Sequence, residues 1–170
     1  MNSESTTKHH DIKPIRILFV CLGNICRSPS ADGIMHRLVA EEGLQDVISI
    51  DSAGTYGGHS GELPDSRMRQ HARKRGYELT HRSRKVTYRD FEHFDLIIGM
   101  DDNNVRDLNH LAMTLEDVEK IRRMTDFCTK MEVDYVPDPY YEGAEGFERV
   151  LDILENACTG LLNTIKTGDL

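Results

Sequence analysis

The chain has 170 residues, 38% of them apolar, and a formal net charge of −8, which suits one domain with a substantial core and argues against general nucleic-acid binding. No apolar run reaches the length of a membrane span, and the N-terminus lacks a charged-then-apolar leader. Four cysteines in such a chain do not read as a disulfide framework, and Cys21 and Cys26 have no second nearby pair to complete a zinc site.

In chain order, Met1 to Asp11 is polar; a flexible tail is expected over residues 1–14, with one domain over 15–170, and His9 and His10 suggest no site. Ile15 to Val20 is apolar after Arg16, the pattern of a strand covered on both faces. Ser28 to Glu42 reads as a helix: Pro29 is tolerated in its first turn, and Ala31, Ile34, Met35, Leu38 and Val39 make one apolar face. Val47 to Ala53 is a second strand, ending at Gly54. The glycine-rich loop Thr55 to Gly61 leads through Pro64 to a basic helix stopped by Gly76. Arg69, Arg73, Lys74, Arg75, Arg82, Arg84 and Lys85 concentrate positive charge there and read mostly as solvated surface.

Thr87 to Phe91 forms a short helical turn, and Asp95 to Met100 a third strand. Asp101 caps the helix carrying Val105 and Leu108. Arg122 to Phe127 is a weaker fourth strand. After the Asp138-Pro139 corner, Phe147, Val150, Leu151, Leu154, Ala157, Cys158, Leu161 and Leu162 mark a long closing helix. The alternation predicts a single three-layer α/β domain, a four-stranded parallel sheet with helices on both faces. Ligands then bind at the carboxyl ends of the strands, and Cys21 falls at such an end.

The stretch CLGNICRSPS, Cys21 to Ser30, joins that first strand to a helix N-terminus, where unpaired N–H groups and the helix dipole favour an anion. Gly23 can take a positive φ, and Asn24 tolerates one, so the backbone of Leu22, Gly23, Asn24, Ile25, Cys26, Arg27 and Ser28 can curl into a phosphate nest. Arg27 adds a planar fork for two oxygens of a tetrahedral oxyanion. The same positive field favours the Cys21 thiolate, to which Ser28 can donate. The lysine of a nucleotide P-loop is absent. A C-x5-R spacing recurs by chance, but between a buried strand and a helix it carries weight.

Four segments in order, CLGNICRSP, DSAGT (Asp51 to Thr55), MDDNNVRDL (Met100 to Leu108) and VPDPYYEG (Val136 to Gly143), resemble the low-molecular-weight protein tyrosine phosphatases. The resemblance runs from about Ile15 to Leu162. It implies a metal-independent double displacement through a cysteinyl-phosphate, with Cys21 as nucleophile, Arg27 and the loop amides as oxyanion stabilisers, and Asp138 as acid and then base. Pro139 biases Asp138 to an extended backbone. The family pattern also implies that Asn24, Ser28, Ser52 and His81 brace the loop, and that Tyr140 and Tyr141 flank the pocket as a pair that is phosphorylated in some members. Eukaryotic members carry a rim tryptophan; this chain has no Trp, and Tyr56 is the candidate substitute, although Gly57 and Gly58 shift the spacing.

Cys21 and Cys26 form a candidate redox pair, and Cys128 and Cys158 read as core residues. The resemblance further implies no cofactor and no metal ligand, a phosphotyrosine-containing protein as substrate and a tyrosine kinase as candidate partner. It implies no nucleic acid or membrane partner, a monomer or weak dimer, and a cytoplasmic setting.

Three rivals remain. A thiol-coupled arsenate reductase needs two more cysteines in the region of His81 to Arg89, where HRSRKVTYR has none. A protein-arginine phosphatase favours a threonine where Ile25 stands, and a larger apolar side chain suits a phenyl ring better than a guanidinium. A non-catalytic phosphotyrosine-binding module is expected to lack Cys21 or Asp138.

Overall fold

A computed structural model describes residues 12–170. The expected tail lies outside the described residues, as do His9 and His10, apart from Ile12, Lys13 and Pro14; Ile12 packs against the core.

The first strand, β1 (Ile15–Cys21), and the helix α1 (Arg27–Glu41) are followed by β2 (Ile48–Gly54) and α2 (Ser66–Lys74). Next come the short α3 (Arg89–His93), β3 (Leu96–Gly99), α4 (Asp102–Leu111), α5 (Leu115–Glu119), β4 (Ile121–Arg123) and the closing helix α6 (Ala144–Thr167). All strand pairs are parallel, in the order β2-β1-β3-β4. The expected α/β architecture is present.

Why β1 lies at the centre follows from its side chains. Ile17, Leu18, Phe19 and Val20 are all 0% exposed, and alternate residues point to opposite faces. Ile17 and Phe19 join one core with Ala31, Ile34 and Met35 of α1 and Leu151, Leu154 and Leu161 of α6. Leu18 and Val20 join a second core with Phe91, Phe94, Ile97 and Leu108. Burial of each contributes about 1.5–3 kcal/mol, so a polar residue anywhere in this run would strip helices from one face.

The fourth strand is shorter than the expected Arg122 to Phe127. Pairing ends at Gly99 with Arg123, and Met124–Phe127 forms a 3-10 turn. The cause is competition for the edge: the Met100 carbonyl accepts from Val136 N–H at 2.9 Å, so no ladder position remains for Met124. Of the two expected core cysteines, Cys158 is fully buried and Cys128 only half-buried. No helix among the described residues is long and apolar enough to cross a membrane.

Candidate active site

Cys21 ends β1 opposite Gly54 of β2, and its chain continues directly into the loop that enters α1. Five of the loop's carbonyls are tied down by hydrogen bonds. Cys21 and Leu22 O accept from Thr55 and Tyr56 N–H at 3.0 and 2.8 Å, and Ile25 O accepts from Asp65 N–H at 2.8 Å. Gly23 O accepts from the Ser83 hydroxyl at 2.9 Å, and Cys26 O from that of Ser30 at 2.6 Å. The N–H groups of Leu22 to Ser28 have no protein acceptor among the described residues. Bound carbonyls and free amides make a nest for an anion.

The positive φ in the loop falls on Asn24, at 57°, and not on Gly23. Asn24 is 0% exposed and uses its whole amide. Nδ2 donates to Ser28 Oγ at 2.7 Å and to Ser52 Oγ at 3.1 Å; Oδ1 accepts from His81 Nε2 and from Arg84 N–H, both at 3.1 Å. Those four bonds hold a left-handed conformation that a side chain otherwise resists. Gly23 serves a different need, since a Cβ there would lie 3.1 Å from the His59 ring.

Ser28 Oγ lies 3.0 Å from Cys21 Sγ. It receives the Asn24 amide proton, so its own proton is available to the sulfur, and a thiolate can only accept. Cys21 and Cys26 are both buried with free thiols. They differ in surroundings: burial, with Asp65 next in weight, pushes the Cys26 thiol far above its ordinary range, which keeps it protonated.

Arg27, 2% exposed, is gripped from two sides. Its Nη1 donates to Asp101 Oδ2 at 2.6 Å and to the Val136 carbonyl at 3.1 Å. Its burial opposes the charge, but Cys21 and Asp101 outweigh that cost and raise its pKa further. Asp101 does two jobs, because its Oδ1 also caps α4 through Asn104 N–H at 2.8 Å. Arg27 Nη2 reaches to 3.7 Å from Asp138 Oδ2. Asp138 follows Val136, which is pinned to Met100, and its Oδ1 accepts from Tyr140 N–H at 3.1 Å.

Cys21, Leu22, Gly23, Ile25, Cys26, Arg27 and Asp138 line one pocket of about 240 Å³, with Tyr56, His59, Tyr140 and Tyr141 around them. The Tyr56 ring, one of the lining groups, covers Gly58, where a Cβ would meet it at 2.2 Å. Tyr141 is 94% exposed and packs edge-on against Tyr140 at 4.9 Å between centroids.

Sequence reasoning missed Asp101 as the Arg27 partner, Ser83 and Asp65 as loop anchors, and His59 at the rim. Asp101 carried a usable signal, being an acid at the carboxyl end of a strand neighbouring β1. Arg84 corrects the reading of the basic stretch as solvated surface: its N–H holds Asn24, and its guanidinium bridges Asp51 and Asp90. Arg75, likewise, pairs with Glu148, Asp152 and Glu155 on α6.

A parallel α/β sheet, with a loop of free amides running from Cys21 to Arg27 at the carboxyl end of its central strand, is the arrangement of a phosphate-handling α/β protein. Comparison with known proteins narrows this. The family model described as low molecular weight phosphotyrosine protein phosphatase matches residues 16–169, and the chain belongs to that family. A low-molecular-weight protein-tyrosine-phosphatase of Streptomyces coelicolor is 40% identical over 154 residues, covering 89% of this chain and 93% of that protein. The crystal structure of a protein tyrosine phosphatase from Entamoeba histolytica, with Hepes in its active site, superposes with a TM-score of 0.89 at 44% identity, covering 92% and 99% of the two chains. A Drosophila arginine phosphatase is also similar, with a TM-score of 0.80, 33% identity and coverage of 86% and 95%.

Proposed function

We propose that this protein hydrolyses the phosphate of phosphotyrosyl proteins by double displacement, with no metal ion in the catalytic steps. The Cys21 thiolate attacks phosphorus in line. An S–P bond forms as the P–O bond to the phenol breaks, and the departing oxygen takes the proton of Asp138. Asp138, now a carboxylate, removes a proton from water; the oxygen attacks phosphorus, and the S–P bond breaks to release phosphate and regenerate the thiolate. Arg27 and the loop amides stabilise the equatorial oxygens throughout.

The observation that carries this reading is the run of unfilled N–H groups from Leu22 to Ser28 around Cys21, with Arg27 already held beside it. A nest that supplies positive charge without reorganisation needs no cation. Asp138 lines the same pocket, 3.7 Å from Arg27 Nη2, which supports its reading as the donor to the leaving group. Asn24, Ser52 and His81 act as positioning residues, since their bonds run to the loop and not to the pocket, whereas Ser28 also meets the Cys21 sulfur.

For the substrate, Ile25, Tyr56, Tyr140 and Tyr141 give the pocket apolar walls above a floor at Cys21. A phenyl ring fits such walls and carries its phosphate to the floor. A phosphoserine would have to bring its own backbone into the pocket. A phosphoarginine would press its guanidinium on Ile25, which favours the tyrosine reading over the activity named for the Drosophila relative. A tyrosine kinase is the candidate partner that would generate the substrate.

Hydrolysis of phosphotyrosyl, phosphoseryl and phosphoarginyl peptides, side by side and with a chelator present, tests the proposal. Turnover confined to the phosphotyrosyl peptide is expected. Faster release from phosphoarginine, or a requirement for metal, would replace it.

A further inference from the structure

The pocket is walled by two segments that are far apart in sequence. Ile25 belongs to the phosphate loop, and Tyr140 follows Asp138 by two residues; both line the pocket. The turn that carries Asp138 has little to hold it. Its own bonds are short-range, Tyr140 N–H to Asp138 Oδ1 at 3.1 Å and Glu142 N–H to Pro139 O at 2.9 Å. Between Pro137 and Tyr141, one hydrogen bond among the described residues comes from elsewhere in the fold. Arg67 Nη2 donates to the Tyr140 carbonyl at 3.0 Å.

Arg67 is tied in turn to the phosphate loop. Asp65 Oδ1 accepts from its Nε at 3.1 Å and Oδ2 from its Nη2 at 2.9 Å, a two-point grip that fixes the plane of the guanidinium. Asp65 also donates its own N–H to Ile25 O at 2.8 Å and caps α2 through the N–H groups of Arg67 and Met68. The guanidinium carbon lies 4.9 Å from the ring centroid of Phe147 and 5.3 Å from that of Tyr140. Phe147, on α6, is buried and stacks on His71, so it offers a fixed platform. A continuous set of contacts therefore runs from Ile25 through Asp65 and Arg67 to Tyr140.

We propose that Arg67 is a positioning residue for proton transfer: gripped by Asp65 and stacked on Phe147, it sets the Asp138 turn against the phosphate loop, a role that rests on Asp138 being the acid. The plainer reading is a solvated helix arginine, since its side chain is 45% exposed and most surface ion pairs contribute little. Two features set Arg67 apart. Its Nη2 joins groups from separate segments, the Asp65 carboxylate and the Tyr140 carbonyl. Its planar face also meets two rings, which a lysine could not reproduce. What it supplies is geometry. A misplacement of about 1 Å near the chemistry can cost about 10²-fold, and Asp138, with its side chain 44% exposed, has few other supports.

The test compares Arg67→Ala, Arg67→Lys and Asp138→Asn by kcat/KM on phenyl phosphate and on dinitrophenyl phosphate, whose leaving group needs no proton. Arg67→Ala should slow phenyl phosphate by about 10–10²-fold and leave dinitrophenyl phosphate little changed. Arg67→Lys should resemble it. In the Asp138→Asn background, Arg67→Ala should add no further loss on either substrate, because its effect passes through the acid. Vanadate affinity and thermal unfolding should stay near those of the wild type, showing the loop and the fold intact. Equal losses on the two substrates would overturn the proposal. So would weakened vanadate binding, no loss on phenyl phosphate, or a loss that persists undiminished in the Asp138→Asn background. Should Asp138→Asn itself fail to separate the two substrates, the acid assignment falls and the role of Arg67 with it. Where Asp138→Asn separates them and Arg67→Ala does not, the role of Arg67 alone falls.

Discussion

The two sides of the pocket are built differently. On one side, Cys21, Asn24, Arg27 and Ser28 are between 0% and 2% exposed, and the carbonyls of Cys21, Leu22, Gly23, Ile25 and Cys26 and the side chains of Asn24, Arg27 and Ser28 all have partners. On the other, the Asp138 side chain is 44% exposed and Tyr141 protrudes almost entirely. The acid is held by its own turn, by a long approach to Arg27, and by Arg67, which donates to the Tyr140 carbonyl at 3.0 Å and stacks over the Tyr140 ring. The contrast teaches where rigidity is needed. Oxyanion stabilisation works only if donors are in place before charge develops, whereas a proton donor must also let substrate in and phosphate out.

The sharpest way to break the comparison is at the sulfur. Cys21→Ser should abolish hydrolysis of aryl phosphates, while a chelator leaves the wild type untouched; measurable turnover in the serine variant would mean that the braced loop is not the nucleophilic side. Arg27→Lys should be nearly as damaging as Arg27→Ala. Lysine keeps charge but cannot make the fork that joins Asp101, Val136 O and an oxyanion, so a lysine variant with most of the wild-type rate would reduce the loop to simple charge.

Asp138→Asn probes the open side. It should slow phosphotyrosine turnover by about 10²–10⁴-fold, and slow much less an aryl phosphate whose leaving group is already acidic. Vanadate binding should survive, because the nest is built without Asp138. Equal losses on good and poor leaving groups would show the acid loop to be structural.

The smallest effect concerns oxidation. Peroxide should convert the Cys21 thiolate to a sulfenic acid; the Cys26 sulfur then attacks it, water leaves, and a disulfide closes. Cys26 is strongly biased towards the thiol, so capture is expected to quicken as pH rises. Recovery with dithiothreitol should be rapid in the wild type and poor in Cys26→Ser. Unchanged recovery in that variant would place protection elsewhere.

Much of this was legible from local pattern. The apolar run of β1, the helix face from Ala31 to Val39 and the C-x5-R spacing each lie within one short segment, where periodicity and turn chemistry suffice. Asp101 was legible as a cap but not as the partner of Arg27, and Met124 to Phe127 looked like strand because a buried 3-10 turn is as apolar as one. Gly23 and Asn24 both read as able to take a positive φ; Asn24 takes it, its side chain held by Ser28 of the same loop and by Ser52, His81 and Arg84 from elsewhere in the chain.

The amino-acid sequence by itself determined the class of fold and the pairing of a candidate nucleophile with the arginine beside it, since strand, loop and helix there are consecutive, while the resemblance of its segment pointed to the candidate acid. Only the tertiary structure decided what holds them. The order β2-β1-β3-β4 brings the segments after β1, β2 and β3 to one edge of the sheet, and so sets Ser52, His81 and Arg84 around Asn24, Asp101 against Arg27, and the Tyr56 ring over Gly58. Spacing along a chain cannot encode such meetings, because they depend on which strands become neighbours.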